Sequence, residues 1–145
     1  MAAKKIKYII GIDEVGRGAL AGPVTVAAVA ETANSKSEIR NSKLKLRDSK
    51  KLSPKQREVW FQWIKKHSNI LQNVRMFFAV ANVSPKIIDK INISKAANLA
   101  AKNAFMRLMK NSKLKIKNCA VFLDGGLYLP KILNSKFQIL NSIVR

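Results

Sequence analysis

The stretch YIIGIDEVGRG, residues 8–18, decides the fold. Its apolar opening, Tyr8 to Ile12, is short and rich in isoleucine, the composition of a strand held inside a sheet. Asp13 and Glu14 follow at once, and Gly16-Arg17-Gly18 comes next. In a chain with 8 acidic residues, two side by side at the end of a buried strand need a physical reason.

Working outward, we read the first strand over residues 6–12 and a second over 23–30, PVTVAAVA, with Pro23 at a strand's first position, where its missing N–H is tolerated. The short connection predicts an antiparallel hairpin. LSPKQREVWFQWIKKHS (52–68) opens with Ser53 as N-cap, Pro54 at the first helical position and Gln56 two further on, an S-x-x-Q capping box. Trp60 and Ile64, with Trp63 beside them, are the residues available for that helix's buried face. A third strand is expected over 74–84 and a short helix around 85–90. The segment 94–110 places Ala97, Ala100, Ala101, Ala104, Phe105 and Leu108 at helical spacing. NCAVFLDGG (118–126) reads as another buried strand, and it too ends in an acid, Asp124, followed by glycines. The order predicts an α/β domain with a mixed sheet.

With 145 residues and 48% apolar composition, the chain is the size of one domain, residues 1–145, with one core. Its 28 Lys+Arg against 8 Asp+Glu leave a formal charge of +20, a surface that attracts polyanions, of which nucleic acid is the commonest. Part of that charge comes from three related low-complexity segments built on the unit N-S-K: 34–47, 111–118 and 134–142. Their irregular spacing excludes a solenoid, and they read as insertions at loop positions. Cys119 is the only cysteine, so an intrachain disulfide and a paired zinc-ligand spacing are both excluded. Apolar runs fall short of the ~18 residues of a membrane span. The N-terminus lacks the long apolar region of a secretory signal, so a soluble cytoplasmic protein is expected.

Asp13-Glu14 and Asp124 end separate strands, and in a sheet such ends can lie side by side. Carboxylates brought that close repel, and a hard divalent cation such as Mg²⁺ or Mn²⁺ resolves the conflict. Side chains alternate across a strand, so Asp13 and Glu14 point to opposite faces if the strand stays regular. Either the strand bends there, or one residue reaches a metal partly through its carbonyl. Taken singly, an Asp-Glu pair is a solvated strand end and Asp-Gly a turn; taken together beside a Gly-Arg-Gly, they favour a metal site. Gly16 and Gly18 leave room for a sugar-phosphate chain, with Arg17 placed for a phosphate. His67, the only histidine, falls near a helix C-terminus, where it suits the dipole, and carries no catalytic role here. Cys119 lies in an apolar strand and reads as core.

YIIGIDEVGRGALAGPVTVAAV (8–29) closely resembles the opening of the ribonuclease HII family. DSKKLSPKQRE (48–58), IDKINISKAANLAAKNA (88–104) and VFLDGG (121–126) follow in that family's order. The resemblance implies an RNase H-like fold, a mixed central sheet flanked by helices. It also implies endonucleolytic cleavage of RNA in RNA·DNA hybrids and at ribonucleotides embedded in duplex DNA, a role in replication and repair. By that resemblance Asp13, Glu14 and Asp124 are catalytic metal ligands for Mg²⁺ or Mn²⁺. Gly16, Arg17 and Gly18 sense the 2′-hydroxyl, and Lys50 and Asn92 lie along the substrate backbone. The implied chemistry is two-metal hydrolysis leaving 5′-phosphate and 3′-hydroxyl ends, by a monomer acting on hybrid or ribonucleotide-containing duplex.

Departures accompany the match. Ala19 stands where the family usually has proline, and Gly126 where asparagine commonly follows Asp-Gly. NSIVR (141–145) resembles the segment that leads into a Gly-Asp and then a helix with a fourth catalytic aspartate, yet no acidic residue follows Asp124. The expectation is therefore a chain truncated before the family's C-terminal helices and a C-terminal tyrosine, with one sheet face partly uncovered. The alternatives are a catalytically impaired hybrid-binding remnant of the same family and a generic basic RNA-binding protein. The second explains the charge but not the ordered acidic motifs.

Overall fold

The computed structural model describes residues 6–19, 21–33, 44, 46–68, 76–112, 119–130 and 138–141. They form β1 (Tyr8–Val15), β2 (Val24–Thr32), a 3-10 turn (Ser49–Lys51), α1 (Pro54–His67), β3 (Met76–Val83), α2 (Pro85–Ile91), α3 (Ile93–Ser112), β4 (Cys119–Leu123) and β5 (Gln138–Asn141). The strands make one mixed sheet in the order β3-β2-β1-β4-β5. β1 is antiparallel to β2, as expected of the hairpin, and parallel to β4, which is parallel to β5.

Alternation sets which side chains enter the core. Ile10 and Ile12 are buried and stand in register with Ala30 and Ala28 of β2 and with Val121 and Leu123 of β4. Against this face packs α3, whose stripe of Ala96, Ala97, Ala100, Ala101 and Ala104 is fully buried. Alanine's short side chain lets the helix lie close to a sheet that is itself alanine-rich in β2 and β3. Phe105 and Leu108, also fully buried, add roughly 1.5–3 kcal/mol each by leaving water. Arg107 donates from Nη1 to the Val80 carbonyl at 2.8 Å, fastening the helix to β3. The opposite sheet face carries Ile9 and Val80 at 43% and 42% exposure.

Several boundaries move from the sequence reading. β1 runs on to Val15 because its antiparallel pairing continues to Val15↔Thr25, so Asp13 and Glu14 lie within the strand instead of after it. β4 ends at Leu123, with Asp124 just beyond. The reading of 134–142 as loop is corrected: Gln138–Asn141 pairs with Ala120–Leu123 as a parallel edge strand. Asn111 and Ser112, the start of the second N-S-K segment, complete α3. The remainder of that segment and most of the first, residues 34–43, lie outside the described residues, as do residues 74–75 of the expected third strand.

The capping box of α1 is formed in both directions: Ser53 Oγ accepts from the Gln56 N–H at 3.3 Å, and Gln56 Oε1 accepts from the Ser53 N–H at 2.8 Å. Of its expected buried face only Trp60 is buried, while Trp63 and Ile64 are half-buried. His67 ends the helix, donating from Nδ1 to the Trp63 carbonyl at 2.7 Å and stacking on the Trp63 ring. Cys119 is buried in β4, and desolvation raises its thiol pKa, as suits a core residue. Among the described residues no helix is long and apolar enough to cross a membrane.

Candidate metal centre

Parallel pairing of β1 and β4 puts the acids together. Ile12 and Leu123 are register partners, so the next residues, Asp13 within β1 and Asp124 just past the end of β4, stand at one level on adjacent chains of the sheet. The Asp124 N–H donates to the Ile12 carbonyl at 3.1 Å, holding the end of β4 against β1. Each aspartate is then oriented by its own backbone: Asp13 Oδ1 accepts from the Glu14 N–H at 2.7 Å, and Asp124 Oδ1 from the Gly125 N–H at 2.8 Å. One carboxylate oxygen from each of Asp13, Glu14 and Asp124 lies within 4.8 Å of the others.

The pleat that sends Asp13 and Glu14 to opposite faces does not keep their carboxylates apart. The strand keeps its register through Val15, and side-chain oxygens of both residues still meet. Asp13 folds its carboxylate back onto the backbone at the solvent-facing side, whereas Glu14, opposite Val26, reaches in from the helix-covered side. The Glu14 side chain is only 11% exposed. Its Oε1 pairs with Arg17 Nη1 at 3.3 Å, and Oε2 is buried with no hydrogen-bond partner.

That orphaned oxygen decides whether the site suits a cation. A buried carboxylate oxygen left unpaired costs free energy, and a part-exposed ion pair at that separation contributes about 1 kcal/mol or less. The Asp13 pKa is raised from its ordinary 3.8, chiefly by desolvation of its carboxyl, although the residue as a whole is exposed. The charges of Asp124 and Glu14 and a hydrogen bond with Asp124 act in the same direction, against the lowering effect of the Glu14 N–H. A divalent cation removes both penalties, and an all-oxygen donor set fits Mg²⁺ or Mn²⁺.

Gly16 and Gly18 have different tasks. Gly16 has φ +93°, and a Cβ there would stand 2.6 Å from the Pro23 carbonyl oxygen, so the turn out of β1 needs glycine. Gly18 has open space where a Cβ would be. Between them Arg17, 34% exposed, also reaches Ser94 at the start of α3, Nη2 to Oγ at 3.3 Å.

Of the remaining expected residues, Lys50 is exposed on the 3-10 turn, its N–H held by Asp48 Oδ1 at 2.9 Å. Asn92 joins α2 to α3 with φ 69° and ψ 163°, a strained backbone that residues other than glycine rarely adopt. Its N–H donates to the Ile88 carbonyl, and its Oδ1 accepts from the Lys95 N–H at 3.0 Å, ending one helix and starting the next. Only its amide NH₂ is left to face a ligand. A cleft of about 550 Å³ lies beside α1, lined by Leu44, Leu52, Trp60 and neighbours. None of the carboxylates lines it, so it is not the seat of the chemistry. Sequence reasoning missed Ser94 and the contact at Gly126; the signal for Ser94 was its place in INIS, two residues after Asn92.

The mixed sheet with α3 on one face is an RNase H-type fold. The crystal structure of Bst-RNase HIII in complex with Mn²⁺ superposes with a TM-score of 0.67 at 20% identity, covering 98% of this chain and 44% of that one. The ribonuclease H2 of Pyrococcus horikoshii superposes with a TM-score of 0.59 at 27% identity, over 89% of this chain and 55% of that one. The family model for ribonuclease HII matches residues 10–138, and the chain belongs to that family. The ribonuclease HII of Caldicellulosiruptor bescii is 44% identical over 119 residues, 82% of this chain and 48% of the relative. The chain spans about half the length of the curated relatives it matches.

Proposed function

We propose that this chain carries the metal-binding half-site and ribose sensor of an endonuclease that cuts RNA in RNA·DNA hybrids and at single ribonucleotides in duplex DNA. The observation that supports it best is the meeting of three carboxylates, one of them Glu14 with a buried, unpartnered Oε2 and with Arg17 on its other oxygen. Family membership points the same way.

In this reading Asp13, Glu14 and Asp124 hold the cations. Two divalent cations held by these three residues would supply activation of a water for in-line attack and charge stabilisation at the leaving 3′ oxygen, chemistry that would leave 5′-phosphate and 3′-hydroxyl ends. The protein's own part is orientation. The Glu14 and Gly125 N–H groups fix the two aspartates, so little reorganisation is needed when the substrate arrives. Gly18 lets a ribose approach the backbone, Arg17 meets a phosphate, and Lys50 with the amide of Asn92 contacts the strand further along. A sensor of the 2′-hydroxyl and of duplex shape reads no base edges, so little sequence preference is expected.

The test is a duplex with one embedded ribonucleotide, incubated with the chain and Mg²⁺ or Mn²⁺. Cleavage at the junction that is lost in Asp13→Asn supports the enzyme. Binding without cleavage selects the impaired remnant instead, and neither binding nor cleavage overturns the reading.

A further inference from the structure

The two glycines after Asp124 look interchangeable in sequence and are not so in space. A Cβ on Gly125 meets nothing within 4 Å, whereas one on Gly126 collides with Arg17 Nη1 and stands 3.1 Å from Cζ and 3.3 Å from Nη2. The guanidinium therefore points its Nη1 edge at Gly126, with its other contacts at Glu14 Oε1 and Ser94 Oγ. The turn itself does not demand glycine at 126, because the described glycines with positive φ are Gly16 and Gly22. What needs the bare Cα is the arginine.

We propose that Gly126 is a positioning residue for Arg17, and that by seating the guanidinium on Glu14 it tempers the affinity of the carboxylate cluster for divalent cations. The atom in the way of a side chain is the far end of a flexible arginine, so a methyl group at 126 leaves the turn intact and displaces the guanidinium. A positive charge removed from beside a cation ligand strengthens cation binding, by about tenfold or more against a doubly charged ion in a partly solvated site. The second half of the proposal rests on the metal-site reading given above; the first half stands on the packing alone.

Two measurements keep the halves apart. In ¹⁵N-resolved NMR of the metal-free chain, the Arg17 Nε–H signal shifts in Gly126→Ala and in Ser94→Ala and stays in place in Gly125→Ala; an unmoved signal in Gly126→Ala overturns the seat. In Mn²⁺ titrations followed by EPR, Gly126→Ala and Arg17→Ala each tighten binding by about tenfold or more. The double variant Arg17→Ala/Gly126→Ala matches Arg17→Ala alone. Additive effects, or Gly126→Ala binding Mn²⁺ like the wild type, overturn the tempering role. Absence of Mn²⁺ binding to the wild type overturns it together with the metal-site reading, while the NMR result still decides the seat. Thermal melts of each variant confirm that it is folded.

Discussion

Within Gly16-Arg17-Gly18 the first glycine is required by the turn, while the last has open space where a side chain would stand. Gly16→Ala forces a left-handed backbone and a clash with the Pro23 carbonyl, and we expect it to lower stability by roughly 1–3 kcal/mol in urea melts. Gly18→Ala meets open space, so the same melts should leave it near wild type while binding of a ribonucleotide-containing duplex weakens. Asp13 behaves oppositely to an ordinary paired carboxylate. Its pKa is raised in the fold, so the ionised form is disfavoured there and subtracts stability at neutral pH. Without metal, Asp13→Asn should melt at a higher temperature than wild type. The difference is fully present above the raised pKa and vanishes below the ordinary 3.8. Saturating Mn²⁺ should reverse the order, stabilising the wild type by about 2.7 kcal/mol at a hundred times its dissociation constant and leaving Asp13→Asn unmoved.

At the scale of elements, α3 is the fastening of the fold, and its closeness to the sheet depends on small side chains. Ala100→Leu, at a fully buried position, should destabilise by about 1–3 kcal/mol through overpacking, whereas Lys102→Leu on the exposed face should not. Helices α1 and α3 were legible in the sequence because their signals are local: a capping box for one and a 3.6-residue apolar period for the other. Strand ends were less so, since where β1 stops depends on how far β2 pairs with it, a fact not written in residues 8–15. β5 was hidden for a similar reason. Its QILN lies inside an N-S-K segment whose composition reads as loop, and only β4 makes it a strand. The site divided likewise. The acids were visible as strand-end anomalies, but the seat of Arg17 joins β1, α3 and the turn after β4, and no linear pattern reports it.

For the molecule as a whole, the formal charge of +20 sets long-range behaviour more than fold. Duplex binding should weaken steeply as salt rises, with a log–log slope that counts the phosphates neutralised, and Lys50→Ala should reduce that slope by about 1 if Lys50 contacts a phosphate. The parallel pairing of β1 with β4 has a further consequence, in time instead of space. Asp13 and Asp124 are more than a hundred residues apart along the chain, and the register that joins them closes the longest loop in the sheet. Such a contact forms late, after the local hairpin and α3. The nascent chain is therefore spared the repulsion between Asp13 and Asp124 until the β1–β2 hairpin and α3 are in place to bear it.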